Sequence, residues 1–311
     1  MLAEYSIEQS IGNACYAIHG DKFVVVGFDN EQFYFYVNGK KVASRSPGSQ
    51  WFCAFNSLRV TCCDKYFAVT YWDNKVNDLF HSISLLFDYD GNIIWSYEQL
   101  RDNNSEYGDV CLSDTFGLIV AYYGKLIWVN LDGTSNTYDI PTGKDISFDS
   151  GVCWSSTGNV VLYQGDCITI YKLSNLATEI GHIPYTLLKQ KFADISEDKP
   201  VPGGGIYVFN KLTIDSDDTI YYSCGSVIYH RKLDGTFISS HLAKRSDCCR
   251  SYANNGLFHT WCECKHGSVK LFSIATSKMS QWIDYVIEES KKLQKEKLEK
   301  LEKQDDDCVI C

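Results

Sequence analysis

Short apolar runs recur along the chain, some strictly alternating and some continuous, and they are separated by glycine, asparagine and aspartate. That pattern predicts strands joined by tight turns, not helices. One unit repeats: a first run, a tight turn, an apolar run, a glycine or polar break, a third run, then Asp-Gly or Asn-Gly and a fourth run. In the second copy these parts are Leu58-Arg-Val-Thr-Cys62, Tyr66-Phe-Ala-Val-Thr70, Ile83-Ser-Leu-Leu-Phe87 and Ile93-Ile-Trp95. The third holds Val110-Cys-Leu, Leu118-Ile-Val-Ala and Leu126-Ile-Trp-Val129 before Asp132-Gly133. The fourth opens on Val152-Cys-Trp and the fifth on Leu212-Thr-Ile; the first begins at Ala14 and the sixth at Tyr252.

The first turns of the six copies fall at Asp21, Asp64, Thr115, Thr157, Asp217 and Asn255, roughly 40 to 60 residues apart. About 40–45 residues is what a four-stranded propeller blade takes. The expected fold is therefore all-β: a β-propeller over residues 1–278 with six four-stranded blades, seven being the alternative. A β-sandwich is disfavoured, since sandwiches do not repeat a four-strand unit in this way. Two stretches, Asn74 to His81 and Tyr185 to Gly205, are expected as insertions. The sixth copy lacks an outer strand, and Glu4–Ser10 is expected to supply it and close the ring.

Some phrases resemble known blades. Leu212-Thr-Ile-Asp-Ser-Asp-Asp-Thr-Ile-Tyr-Tyr222 resembles NHL and PQQ-type repeats, and Phe87-Asp-Tyr-Asp-Gly-Asn-Ile-Ile-Trp95 resembles a PQQ-type turn with its docking tryptophan. The WD-repeat marks do not recur as a set; Trp72-Asp73 occurs once.

From Met279 the pattern turns helical. Trp282, Ile283, Val286 and Ile287 share one face, and beyond Glu288 glutamates and lysines alternate along the polar positions. A charged α-helix or spacer is expected over 279–304, then a flexible tail over 305–311. The tail ends Cys308-Val309-Ile310-Cys311. A cysteine followed by two aliphatic residues and a last residue resembles the acceptor of prenylation, with the lipid on the sulfur of Cys308. Cys311 departs from the commoner last residues of that motif. The resemblance implies a protein prenyltransferase and a membrane, reached through the lipid anchor, among the partners. The block beginning Glu288-Glu-Ser-Lys-Lys is also similar in composition to the export signal of type IV-secreted bacterial effectors, some of which a host prenylates.

Composition narrows the remaining classes. A net charge of −10 with no basic stripe argues against nucleic acid as a partner. Fourteen cysteines sit mostly within apolar strand-like runs, as buried thiols of a cytoplasmic protein would. No signal peptide or membrane-spanning run is evident, so the expected location is the cytosol, peripheral on a membrane, with secretion into a host cell implied by the effector resemblance.

No catalytic residues, metal site or cofactor are expected. Cys262, Cys264 and His266, with His259 nearby, lack the usual zinc spacing. Asp215, Asp217 and Asp218 lack the calcium-loop order and read as a β-turn. Pro202-Gly-Gly-Gly205 lacks the lysine of a phosphate loop. The expected function is a non-enzymatic scaffold or adaptor that holds an unknown protein partner on the propeller face. The alternative is a propeller hydrolase or lyase with its active site at the central channel.

Overall fold

A computed structural model describes residues 3–6, 13–28, 32–46, 58–76, 79–101, 107–122, 124–140, 151–164, 167–184, 212–224, 227–242, 252–254, 257–263, 268–275 and 295. The predicted runs all become strands. After β1 (Ala3–Ser6), the first sheet is β2 (Asn13–His19), β3 (Lys22–Phe28), β4 (Phe33–Val37) and β5 (Lys40–Arg45). The second is β6 (Arg59–Cys62), β7 (Tyr66–Val76), β8 (Leu79–Asp88) and β9 (Ile93–Arg101). The third is β10 (Tyr107–Ser113), β11 (Gly117–Tyr122), β12 (Lys125–Val129) and β13 (Ser135–Asp139).

The fourth sheet is β14 (Gly151–Trp154), β15 (Val160–Tyr163), β16 (Cys167–Leu173) and β17 (Ala177–Pro184). The fifth is β18 (Leu212–Ile214), β19 (Thr219–Cys224), β20 (Val227–Lys232) and β21 (Phe237–Leu242). The last comprises β22 (Tyr252–Asn254), β23 (Leu257–Glu263) and β24 (Ser268–Ala275).

Among the described residues these strands form six four-stranded sheets, each an antiparallel meander in chain order. The sixth takes its fourth strand from the other end of the chain: β1 pairs with β24, Ala3 opposite Leu271 and Ser6 opposite Ser268. The first strands of successive sheets touch one another from β2 through β6, β10, β14 and β18 to β22, and β2 returns to contact β23. Six sheets standing side by side around a common axis, first strands innermost, make a β-propeller.

The core lies between the sheets. Each first strand turns one row of side chains toward the preceding sheet and one toward the following sheet. The vicinal thiols show this directly: Cys62 packs in the cluster between the first and second sheets, and Cys63 in the cluster between the second and third. The first cluster is aromatic, with Phe67 stacked on Phe87 and Phe35 tilted against it, both at 4.8 Å. Trp95 docks as its resemblance implied: it lies in the cluster between the second and third sheets, against the turn at Gly133.

The extra length expected at Asn74 to His81 takes the form of a longer hairpin, with β7 and β8 pairing out to Val76 opposite Leu79. The alternation of Tyr71, Trp72, Asp73 and the apolar Leu79-Phe80 extends the ladder, and a bulge between Asp73 and Lys75 absorbs the odd residue. The Tyr185–Gly205 stretch lies outside the described residues. So do the helix expected over 279–304, apart from Lys295, which is helical and exposed, and the tail over 305–311.

Candidate functional site

Turns joining first to second strands, here called inner turns, lie near the axis; those joining third to fourth strands, the outer turns, lie at the rim of the same face. Antiparallel meanders require this, since both turns reverse the chain at the same end of the sheet. The inner turns ring a funnel of about 490 Å³ at the hub. Its lining comes from five sheets, one short stretch from each: Ile18-His19, Thr61 to Asp64, Cys111 to Phe116, Cys153 to Ser156 and Thr213 to Ser216.

The innermost strands have no strand partner on their axial side, so their backbone groups need other partners. Side chains of the adjacent sheet provide several. Thr61 Oγ1 accepts from Leu112 N at 3.2 Å, and Asp109 Oδ2 accepts from Val152 N at 3.0 Å. Thiols do the converse: Cys15 donates to the carbonyl of Leu58 at 3.3 Å and Cys153 to that of Leu212 at 3.4 Å. Trp154 Nε1 donates to the carbonyl of Gly117 at 3.0 Å. These are buried cysteines of the apolar runs, and neither is in a disulfide.

The inner turns are bound to each other by carboxylates. Asp114, in the third sheet's turn, accepts from Asp64 N at 2.8 Å, Lys65 N at 2.9 Å and Cys63 Sγ at 3.1 Å, all in the second sheet's turn. Asp218, in the fifth, accepts from Ser156 N and Ser156 Oγ of the fourth, both at 2.7 Å. Between the first and second sheets, His19 Nε2 lies 3.1 Å from Asp64 Oδ1.

Burial holds the His19 imidazole below its ordinary pKa, against the opposing pull of Asp64 and Asp114, so the ring is neutral at pH 7. With its proton on Nε2 it donates to Asp64. Burial likewise pushes the Cys63 thiol far above the thiol range, reinforced by the Asp114 carboxylate. A thiol kept protonated in this way is a poor nucleophile.

The Asp215, Asp217 and Asp218 stretch is the turn expected of it. Asp218 N bonds the carbonyl of Asp215, and Asp217 Oδ1 caps Thr219 N at 3.0 Å. Among the described residues no cluster of histidine, cysteine and carboxylate side chains could hold a metal ion. His259 and Cys262 lie in β23; Cys264 and His266 lie outside the described residues, as do Pro202–Gly205 and all four tail positions, Cys308, Val309, Ile310 and Cys311. None of the described helical residues belongs to a helix long and apolar enough to cross a membrane.

His19, Asp114 and the funnel were not singled out from the sequence. The signal was there: counted back from each inner turn, His19, Cys63, Ser113, Ser155 and Asp215 occupy one column of the repeat, and that column is the mouth of the funnel.

No protein-family model matches the chain, and no curated protein matches it in sequence. Among solved structures it is similar to virginiamycin B lyase from Staphylococcus aureus, at 12% identity and TM-score 0.47, covering 88% of each chain. It is similar to a putative gluconolactonase at 10% identity and TM-score 0.44, over 87% of this chain and 92% of that one. A protein of unknown function from Bacteroides caccae gives 10% identity and TM-score 0.45, over 77% and 82%. Likenesses at this level assign neither family nor activity to this chain; the propeller rests on its own sheet order and ring of contacts.

Proposed function

We propose that this propeller is a protein-binding platform carried to a membrane by a prenyl group on Cys308. One observation carries the platform reading: Asp114, Asp218, Cys63 and the His19–Asp64 pair at the inner turns are engaged in holding neighbouring sheets together. Asp114 serves three donors of the next turn, Asp218 serves two, and Cys63 is held as a neutral thiol. Groups committed to inter-sheet bonds leave the rims and loops of the disc as the surfaces for recognition, as is usual for repeat scaffolds that act by binding.

The tail supplies the address. In prenyl transfer the Cys308 sulfur would displace diphosphate from an allylic prenyl diphosphate, forming a thioether as the thiol proton is lost. Such a chain gives reversible membrane affinity by burying its methylenes. Cys308→Ser should move the protein from the membrane to the soluble fraction in prenylation-competent cells, and intact mass should fall by one prenyl group. Unchanged membrane association would sink the anchor. The glutamate-rich block after Glu288 supports an extension of the reading, delivery of the protein into a host cell, which a translocation reporter fused to the chain would test.

A second reading, a hydrolase or lyase, is favoured by a different observation. His19 is a neutral imidazole oriented by a carboxylate in a concave site, the arrangement of a general base. If the hub is catalytic, His19→Asn must abolish turnover of a lactone or ester substrate while leaving the fold intact. Substrate turnover surviving that change removes His19 as the base.

A further inference from the structure

Each sheet ends at the rim in an open edge, and the outer strands protect theirs to different degrees. In β5, β9, β17 and β21 the ladder slips by one residue just after the outer turn, leaving Val42, Ile94, Ile180 and Ile238 as the extra residues of bulges. Bulges twist an edge away from an incoming strand, and edge lysines and prolines also deter one. β5 adds Lys40 and Lys41 to its bulge, and β17 ends on Pro184. Of the six outer strands among the described residues, β13 and the four-residue β1 keep an unbroken register. β13 has no lysine, arginine or proline, and its Ser135, Asn136, Thr137 and Asp139 are exposed.

The register of β13 fixes which of its backbone groups face outward. Asn130 N donates to the carbonyl of Thr134 at 2.7 Å, and Ile140 N donates to that of Gly124 at 2.8 Å. Hydrogen-bonded and non-hydrogen-bonded pairs alternate along an antiparallel ladder, so within β13 it is Asn136 and Tyr138 that bond to β12. Ser135, Thr137 and Asp139 turn their N–H and C=O groups to the open side, where no strand lies among the described residues. An unbroken row of such groups is a template for another strand.

The same strand of a second copy fits this row. Antiparallel pairing about a two-fold axis at Thr137 sets Thr137 opposite Thr137, Ser135 opposite Asp139 and Asn136 opposite Tyr138. The outward residues then meet only one another, and each such pair exchanges two backbone hydrogen bonds. No like charges meet. The one carboxylate of the strand, Asp139, lies opposite the Ser135 hydroxyl, and Lys125 at 3.7 Å already offsets its charge. Facing threonines and a hydroxyl facing a carboxylate both favour the ladder. Pairing β5 with itself would instead crowd Lys40, Lys41 and Arg45 together.

We propose that this protein self-associates through β13, two propellers joining their third sheets into one continuous antiparallel sheet. A contact between five-residue strands is small beside the roughly 1,200–2,000 Å² of a stable complex, so the dimer is transient and concentration-dependent. It would give the proposed platform two partner-binding surfaces on one particle. That consequence rests on the platform reading, whereas the pairing itself does not.

Sedimentation equilibrium on the full, unlipidated chain, from micromolar to near-millimolar protein, tests the pairing alongside Thr137→Pro. Proline at 137 removes an outward N–H and keeps every bond to β12, so it blocks the edge and spares the sheet; an unchanged circular dichroism spectrum checks the fold. Wild type should dimerise reversibly, and Thr137→Pro should stay monomeric. Ser135→Asp, which creates two like-charge pairs across the two-fold, should weaken association by about fivefold, and Ser135→Lys should strengthen it by a similar factor. As wild type passes through its dimerisation range, amide exchange should slow at Ser135, Thr137 and Asp139 and stay unchanged at Asn136 and Tyr138. Wild type that is monomeric throughout, a dimer that survives Thr137→Pro, or slowing without that alternation overturns the proposal.

Discussion

Removing the Asp114 side chain should weaken the junction between the second and third sheets by about 2 kcal/mol. Three donors of the second inner turn lose their acceptor in Asp114→Ala: Asp64 N, Lys65 N and Cys63 Sγ. A hydrogen bond to a charged acceptor is worth about 1.5–3 kcal/mol when sheltered. The two backbone bonds are exposed to water, which can replace the carboxylate, so each is discounted to about 0.5–1 kcal/mol. The thiol is buried and keeps the carbonyl of Tyr66 as an alternative acceptor at 3.4 Å, so its loss adds a similar amount. Asp114→Asn retains one carbonyl oxygen but opposes an amide N–H to a backbone N–H, and should cost about half as much. Urea unfolding followed by fluorescence, with both variants and wild type at matched pH, measures this. A loss below about 0.5 kcal/mol for Asp114→Ala would refute the claim that carboxylates bind the inner turns together.

Three further outcomes follow from the same geometry. At Gly91 the backbone has φ of +92° and an added Cβ would lie 2.6 Å from the carbonyl oxygen of Val42, whereas at Gly20, φ +57°, nothing lies within 4 Å. Gly20→Ala should thus cost about 1–2 kcal/mol, the left-handed penalty alone, and Gly91→Ala distinctly more; equal midpoints in thermal unfolding would contradict the packing of the second outer turn on β5. Phe87→Ala should destabilise by about 3–5 kcal/mol, because Phe87 is 1% exposed and its ring packs against two others; calorimetry tests it.

The pH dependence comes from His19. Its folded pKa lies below the ordinary 6.5 because burial outweighs the neighbouring carboxylates. The unfolded chain therefore binds more protons in the window between the two values, and stability falls as pH drops below about 6.5 and levels off beneath the folded pKa. His19→Asn should flatten that part of the curve, and an unchanged slope in melting temperature against pH between 5 and 7 would show that other groups set it.

The strands and turns were legible because their causes are local. Alternation in Asn13–His19, the apolar run of Val160–Tyr163 and the Asp-Gly of Asp132-Gly133 each act within a few residues. Even the closing strand could be read, since a missing fourth run at one end and a spare run at the other imply each other. The hairpin through Asn74 to His81 was legible only as extra length, because length measured against a period looks like an insertion whether it is looped or paired.

The hub was less legible for a different reason. Asp114 meets Asp64, and Asp218 meets Ser156, across one whole repeat, so no window short enough to show periodicity contains both partners. Lateral contacts of this kind become visible only when repeats are stacked into columns. The outer bulges were hidden altogether, because Ile94 or Ile238 in sequence is one more residue of a plausible strand, and only its register reveals that it is surplus.

The pairing of β1 with β24 also has a history in time. Ala3–Ser6 leaves the ribosome ahead of the other described strands, and its partner Ser268–Ala275 follows more than two hundred residues later. At roughly 5–20 residues per second, the first strand waits on the order of ten seconds or more with nothing to pair with. Five sheets can assemble meanwhile from near neighbours, but the sixth is complete only when both ends exist. A bulky fusion placed before Ala3 would therefore act on the last event of folding, and a stalled or truncated chain would expose both the face of the first sheet that meets β23 and an unpaired β1. Ring closure makes the earliest described strand the latest to be protected.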